Sequence, residues 1–277
     1  MVVFRRAMLA LLLVAASAGC TSASAPDGPA TASPSASRAS FTPRASSTPS
    51  VSASTSPARP SVPSSASSAP RRMPPVSAQA HAAGLIDIRA VVPDAIVDLR
   101  YATSDNFVGV RLYPADARCL VHESMAAGLT AAANRLRRDG KVLVFWDCYR
   151  PHAVQVHMFQ IVPDPNWVAR PGPFATSHEA ARSVDVTLAH AATNLACPPA
   201  QRVQLHCLLE MGTGFDDFSP RAHAFATDGV SPQAQANRTL LRAAMNDGGI
   251  TVYSGEWWHF DGSGADVQRP HLNVPVN

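Results

Sequence analysis

The chain lacks several patterns that would place it in a common class of protein. It has no internal repeat and no CxxC spacing, and residues 81–277 contain no polybasic run beyond Arg137-Arg138. Its N-terminal apolar run, residues 7–16, is too short to span a bilayer as a stable helix. The missing basic patch excludes nucleic-acid binding, and the missing CxxC spacing argues against a zinc site built from cysteines.

The net charge of +3 hides two segments of opposite sign. Residues 1–80 contain seven arginines and one acidic residue, Asp27. Subtracting these from the totals of 23 basic and 20 acidic residues leaves 16 basic and 19 acidic residues in 81–277, a net charge of −3. The acidic balance of this larger part is a second argument against a nucleic-acid partner.

The N-terminus has the pattern of an export signal. Arg5 and Arg6 precede the apolar run, and small residues follow it up to Cys20, so we expect a signal peptide over residues 1–20. The end of this segment, Ala18-Gly19-Cys20, is similar to a bacterial lipobox, although Ser17 stands where Leu is usual. We therefore expect an extracytoplasmic protein, either anchored to the membrane only through a lipid on Cys20 or secreted into the cell wall.

Residues 21–83 are predicted to form a disordered linker, followed by one folded domain over residues 84–277. Of the 60 residues from Thr21 to Ala80, 47 are Ser, Thr, Ala or Pro. Such a segment buries too little apolar surface to offset the entropy lost on ordering. Its expected role is to space the folded domain from the anchor.

Four cysteines remain in the folded domain: Cys119, Cys148, Cys197 and Cys207. An even number of cysteines in an exported protein indicates disulfides, here two. One connectivity joins Cys197 to Cys207 across a short loop and leaves Cys119 for Cys148. The other two connectivities remain open.

The hydrophobic patterns predict helices and strands in irregular order. Helices are expected over 123–139, 153–161 and 232–246, and strands over 86–89, 95–100, 141–146, 183–188 and 250–253. The continuous apolar run Lys141–Trp146 predicts a buried central strand. The fold class is therefore α+β, with a mixed or antiparallel central sheet flanked by helices and carrying a zinc site.

Two segments place histidines near carboxylates. Asp185 lies inside an apolar strand seven residues after His178, and Glu256 lies three residues before His259 in an aromatic run. Burying a carboxylate without a partner is costly, and catalytic zinc takes three protein ligands and leaves one position open. We therefore predict that His178, Asp185 and His259 bind zinc, with Glu256 as a free carboxylate. Since residues i and i+3 of a strand face opposite sides, the backbone between Glu256 and His259 must depart from strand geometry.

Five motifs follow one another along the chain: YATxDNF from Tyr101, WDxYRP from Trp146, SH from Ser177 with DxTL from Asp185, MGxxFD from Met211, and EWWH from Glu256. In residues and in order they resemble the zinc D-alanyl-D-alanine dipeptidases of the vancomycin-resistance type, and the resemblance covers roughly residues 85–277. The chain departs from the family at Ala181 and Ser183, where Gly and Ala are usual. If that Gly has a positive φ, Ala181 is strained by about 1 kcal/mol or more.

The resemblance implies roles for eight residues. The ligands of one Zn²⁺ per chain are His178, Asp185 and His259. The catalytic residues are Glu256, as general base, and Arg150, which stabilises the transition state. The residues at the substrate are Asp216, which recognises its amino group, and Tyr101 and Asp147, which line the pocket.

These roles imply an exported zinc metallopeptidase that hydrolyses D-Ala-D-Ala or a similar small dipeptide, with a zinc-activated water that gives its proton to Glu256. One alternative is a D,D-carboxypeptidase that acts on cell-wall peptides. Another is a catalytically weakened cell-wall binding domain of the same fold. A purely structural zinc site would need a fourth protein ligand, and the sequence suggests none.

Overall fold

The computed structural model describes residues 74–277, so the expected signal peptide and most of the expected linker lie outside the described residues. The helices are α1 (Ala78–Ala82), α2 (Ala126–Arg138), α3 (His152–Ile161) and α4 (Pro232–Asp247). The strands are β1 (Leu85–Asp87), β2 (Ile96–Val97), β3 (Leu120–His122), β4 (Lys141–Asp147), β5 (Ser183–His190), β6 (Arg202–Val203), β7 (His206–Cys207), β8 (Thr251–Val252) and β9 (His259–Asp261). Helix α1 falls in the last residues of the segment expected to be a linker, where the Ser77 hydroxyl accepts a hydrogen bond from the Ala80 N–H.

The main sheet has five strands in the order β2-β4-β5-β9-β8. Strand β2 runs parallel to β4, and the other three pairings are antiparallel. Strands β1 and β3 form a separate antiparallel pair, as do β6 and β7. This mixed sheet with helices confirms the α+β class.

Strand β4 confirms the prediction of a buried central strand. It pairs with β2 on one side and β5 on the other, and Val142 to Asp147 are all buried. The register between β4 and β5 shifts between Phe145 and Asp147, a bulge that places Asp147 opposite Asp185. Bulges are common beside active sites because they re-aim a side chain.

The two longest helices cover the sheet. Helix α2 buries Leu129, Ala132, Ala133 and Leu136 at helical spacing and packs against α4 and β4. The helix pair approaches most closely at two glycines, since a Cβ added to Gly128 would lie 2.4 Å from the carbonyl oxygen of Gly248. Within residues 74–277, no helix is long and apolar enough to cross a membrane.

Within the described residues the cysteines form two disulfides, Cys119–Cys148 and Cys197–Cys207. This is the connectivity with the short local loop. The first bond joins the residue before β3 to the residue after β4. It therefore anchors the chain two residues before Arg150.

Candidate active site

The three expected metal ligands come together on neighbouring strands. Asp185 on β5 lies directly opposite His259 on β9, and His178 lies in the short turn Ser177–Ala180 before β5. His178 Nε2 is 3.1 Å from His259 Nδ1 and 3.3 Å from Asp185 Oδ1. Asp185 Oδ1 is 3.0 Å from His259 Nδ1. The three atoms form a nearly equilateral triangle.

This triangle fits a zinc ion. Three ligand atoms at 2.0–2.1 Å from a tetrahedral centre are separated by roughly 3.3 Å. The ring tautomer of His178 also fits, because its Nδ1 donates to the Cys148 carbonyl at 2.8 Å and leaves Nε2 free to bind a metal. Within the described residues, the group contains no fourth His, Cys, Asp or Glu, so one position is open to water or substrate.

The charges of the group also favour a cation. Burial alone would lower the pKa of His259, but hydrogen bonds with Asp185 and Asp261 raise it to about 10. Burial alone would raise the pKa of Asp185, but His178 and His259 hold it well below its ordinary value. The site therefore holds positive charge next to an ionised carboxylate, and a divalent metal can supply that charge in place of protons.

Glu256 lies in a turn before β9 and not in the strand itself. Its Oε2 is 3.9 Å from His259 Nδ1, which confirms that the backbone between the two residues departs from strand geometry. The following residues, Trp257 and Trp258, are both 1 % exposed. The backbone N–H of Trp257 donates to the Ala222 carbonyl at 3.0 Å, and the Trp258 carbonyl accepts a hydrogen bond from the Val186 N–H of β5 at 2.9 Å. These buried anchors fix the position of Glu256.

Gly255 permits this turn through its missing side chain. A Cβ at this position would lie 2.6 Å from Cε1 of the Tyr253 ring. Its φ lies outside the positive region, so the close approach of the ring, and not an unusual backbone angle, explains the glycine.

A cavity of about 380 Å³ opens onto the metal group. Its walls include Glu256, Arg150, Asp216 and Tyr101. The pKa of Glu256 is raised, chiefly because the carboxylate is buried, while the charge of His259 partly opposes the shift. A carboxylate with a raised pKa is better suited to accept a proton near neutral pH.

Arg150 is held rigidly at this cavity. Its Nε and Nη2 donate to Asp147 Oδ2 at 3.1 and 2.7 Å, and its Nη1 donates to Gln155 Oε1 at 2.8 Å. The guanidinium also lies over the ring of Tyr101, 5.3 Å from its centroid. A fixed guanidinium of this kind can stabilise a developing negative charge without reorganising.

Asp147 does not line the pocket, contrary to the expectation from its motif. Its side chain is fully buried behind Arg150, where the Tyr113 hydroxyl donates to Oδ1 at 2.7 Å. A carboxylate at the end of a buried strand needs donors, and here Arg150 and Tyr113 supply them. The structure thus makes Asp147 a support of Arg150.

Asp216 faces the same cavity from a tight turn in which its φ is +56°. The Tyr101 hydroxyl donates to Asp216 Oδ2 at 2.9 Å. Burial, reinforced by the negative charge of Asp185, raises the pKa of Asp216 well above its ordinary value. A cation bound beside this carboxylate would relieve both effects.

The sequence model of the D-ala-D-ala dipeptidase family of M15 peptidases matches residues 81–277. The chain belongs to this family. It is 35 % identical over 177 residues to the D-alanyl-D-alanine dipeptidase of Escherichia coli (strain K12), an alignment that covers 64 % of this chain and 83 % of the relative. It is 30 % identical over 192 residues to the D-alanyl-D-alanine dipeptidase of Enterococcus faecium, covering 65 % of this chain and 91 % of the relative. It is 35 % identical over 183 residues to the D-alanyl-D-alanine dipeptidase of Streptomyces coelicolor, an alignment that covers 59 % of this chain and 83 % of the relative.

The departure from the dipeptidase motif at Ala181 does strain the backbone. Ala181 has φ +57° and ψ +27°, a left-handed conformation that favours glycine, and it is fully buried. Its amide donates to the carbonyl of His178 at 2.9 Å and its carbonyl accepts from His122 at 2.8 Å. These hydrogen bonds keep the turn that carries His178 in its strained form.

We expect Ala181→Gly to change the free energy of unfolding by less than about 1 kcal/mol. Relief of the left-handed conformation, about 1 kcal/mol, is offset by the loss of a buried methyl group and by the greater freedom of unfolded glycine. Ala181→Val should lose more than about 2 kcal/mol, because a β-branched residue is poorly tolerated at this φ. Urea denaturation of both variants measures their free energies of unfolding. Equal values for the two variants would contradict a strained backbone at Ala181.

Some residues of the dipeptidase site were not predicted from the sequence. Gln155 and Tyr113 support Arg150 and Asp147, and Asp261 contacts His259 Nε2 at 3.1 Å. The strand period could have indicated Asp261 as a neighbour of His259, because residues two apart on a strand share a face. No local pattern marks Gln155 or Tyr113.

A second group of possible ligands lies beside the dipeptidase site, formed by His152, Glu179 and His271. His152 Nδ1 is 2.6 Å from Glu179 Oε1, and the two imidazoles are stacked with centroids 3.6 Å apart and planes 17° from parallel. An imidazole binds a metal through a lone pair in its ring plane, so two stacked rings do not aim at one ion. The group instead joins the start of α3, the His178 turn and the C-terminal segment.

Proposed function

We propose that this protein is an exported zinc metallopeptidase that hydrolyses D-Ala-D-Ala or a similar small dipeptide. Membership of the D-ala-D-ala dipeptidase family supports dipeptidase activity. One observation carries the finer proposal: the triangle of His178, Asp185 and His259 has the Glu256 carboxylate 3.9 Å away, at the wall of the same cavity. This is the donor set of a catalytic metal site with a free general base.

His178, Asp185 and His259 would hold the metal. A zinc ion held by these residues would lower the pKa of water and polarise a substrate carbonyl. Glu256 takes a proton from the attacking water and later delivers it to the leaving amine. Arg150, which lines the same cavity, stabilises the negative charge that develops on the carbonyl oxygen.

Asp216 supplies the selectivity for a dipeptide. Its carboxylate, with Tyr101 as hydrogen-bond donor, lines the same cavity as Arg150 and Glu256. A substrate ammonium bound there restores the ionised form of Asp216 and forms a charge-assisted hydrogen bond. Peptides with a blocked or distant N-terminus lose this interaction, so the reaction is confined to free dipeptides.

The test combines metal analysis with a panel of peptides. We expect one zinc per chain, release of D-alanine from D-Ala-D-Ala, loss of turnover on chelation and recovery on addition of zinc. N-acetyl-D-Ala-D-Ala should be cleaved much more slowly. Equal cleavage of the blocked peptide would favour the D,D-carboxypeptidase, and zinc without turnover of any peptide would favour a binding domain.

We also propose that the N-terminal segment exports the protein and that Cys20 carries a lipid. The charged pair before an apolar run and the small residues up to Cys20 support this proposal. Membrane fractionation of the native protein and of Cys20→Ala tests it. The variant should leave the membrane fraction, and equal partitioning of both proteins would refute lipidation.

A further inference from the structure

Four side chains on strands β5 and β9 form two cross-strand pairs on one face of the sheet. Ser183 lies directly opposite Asp261, and Asp185 lies directly opposite His259. Residues two apart on a strand face the same side, so all four side chains project together. The pair formed by Asp185 and His259 belongs to the metal group described above. The neighbouring pair therefore lies directly behind it.

The two ring nitrogens of His259 face different partners. Nδ1 lies within 3.0 Å of Asp185 Oδ1 and 3.1 Å of His178 Nε2, the atoms that would share a metal. Nε2 lies 3.1 Å from Asp261 Oδ1 and 3.4 Å from the Ser177 hydroxyl. When Nδ1 binds a metal, the ring proton must reside on Nε2. Asp261 is then its acceptor.

Asp261 is itself held in place. The hydroxyl of Ser183, a fully buried residue, donates to Asp261 Oδ1 at 2.5 Å. Ser183 therefore fixes the same oxygen that accepts from His259. The chain Ser183–Asp261–His259 runs from the buried strand to the metal position through successive hydrogen bonds.

The other metal histidine has a weaker outer partner. His178 Nδ1 donates to the neutral Cys148 carbonyl at 2.8 Å, whereas His259 Nε2 faces a carboxylate. A carboxylate behind a ligating imidazole fixes its tautomer and makes the ligand more basic. Asp147 Oδ2 lies 3.7 Å from His178 Nδ1, beyond hydrogen-bond distance, so His259 is the histidine whose outer hydrogen-bond partner is charged.

We propose that Asp261, held by Ser183, is a positioning residue that orients His259 and strengthens its binding to zinc; this rests on the proposed metal site. Outer partners of this kind change metal affinity by about 10- to 100-fold when they are removed. Asp261 does not touch the reacting atoms in this proposal. Its effect passes entirely through His259.

The experiment measures the zinc dissociation constant by competition with a chromophoric chelator, for the wild type and four variants. Asp261→Ala should weaken binding by about 10- to 100-fold, and Asp261→Asn by less, because the amide oxygen can still accept from Nε2. Ser183→Ala should weaken binding in the same direction by a smaller factor. Asp266→Asn, the same substitution at an exposed position in the following segment, is the matched control and should leave the affinity unchanged.

A double-mutant cycle and a spectrum separate positioning from general destabilisation. If Ser183 acts through Asp261, the variant lacking both should bind zinc no more weakly than Asp261→Ala alone. The visible spectrum of the cobalt-substituted protein should change with Asp261→Ala and be largely restored with Asp261→Asn. If Asp261→Ala does not fold, Asp261→Asn and Ser183→Ala, which keep the packing, provide the same ranking of affinities.

The outcomes also distinguish this inference from the proposed function. A wild type that binds no zinc overturns both. If the wild type instead binds zinc and cleaves D-Ala-D-Ala while the zinc affinity of Asp261→Ala stays within twofold of the wild-type value, this result overturns the inference alone. An Asp261→Ala variant with unchanged affinity but a higher KM would make Asp261 a substrate contact, and this also overturns the inference.

Discussion

Glu256→Gln should lower kcat by about 10³-fold or more and leave one zinc bound per chain. Glutamine keeps the size of the side chain and one acceptor oxygen but cannot act as a base, and general-base catalysis contributes about 10²- to 10⁴-fold. Because Glu256 lies outside the ligand triangle, with its Oε2 3.9 Å from His259 Nδ1, its neutralisation should not remove a ligand. Proton transfer and metal binding are therefore separable at this residue.

Steady-state kinetics with D-Ala-D-Ala and metal analysis of the same sample test this expectation. Glu123→Gln, at an exposed position in the turn before α2, is the control for loss of a carboxylate. Its kcat should equal that of the wild type. A Glu256→Gln variant that keeps a tenth of the wild-type kcat, or that loses its zinc, would assign Glu256 a role other than the base.

Arg150→Lys should lower kcat by about 10²- to 10³-fold with a smaller change in KM. Lysine keeps the positive charge, but it lacks the fork that donates to both Asp147 and Gln155. Its ammonium is then not held at the place where the carbonyl oxygen becomes negative. The interaction lost is one made mainly in the transition state, which lowers kcat.

The folded state of this variant must be measured beside its kinetics, because the fully buried Asp147 loses both hydrogen bonds from the guanidinium. Breaking a buried ion pair costs about 3–5 kcal/mol, so thermal unfolding shows whether Arg150→Lys remains folded at the assay temperature. Arg170→Lys, at an exposed residue, is the matched control and should change neither kcat nor the melting temperature. A raised KM with unchanged kcat would mean that Arg150 binds the substrate equally well in the ground state and in the transition state.

Much of the site was accessible from the sequence because its residues sit in recognisable local patterns. Asp185 interrupts an alternating apolar strand, and Glu256 and His259 lie in an aromatic run, so the cost of burying charge already marked them as paired. The i, i+3 spacing of Glu256 and His259 predicted a break in the strand, and β9 indeed begins only at His259. The helix expected over 232–246 is α4, which begins at Pro232 directly after the capping residue Ser231.

Other features depended on contacts between distant segments. The resemblance to the dipeptidases implied that Asp147 lines the pocket, but the bulge in β4 directs its side chain behind the guanidinium of Arg150. There it contacts Tyr113, which lies 34 residues earlier in the chain. The contact of Ser183 with Asp261 spans 78 residues. Contacts between residues this far apart in the chain leave no local pattern in a single sequence.

The sequence by itself determined the α+β class, the buried central strand and the identity of the residues that meet at the metal position. It did so because hydrophobic period and the cost of buried charge act over a few neighbouring residues. Only the tertiary structure decided the roles of Asp147, Ser183 and Asp261, and it confirmed the strained φ of Ala181. The reason is physical: strand register sets which side chains lie opposite each other, and register is settled by packing between segments far apart in the chain.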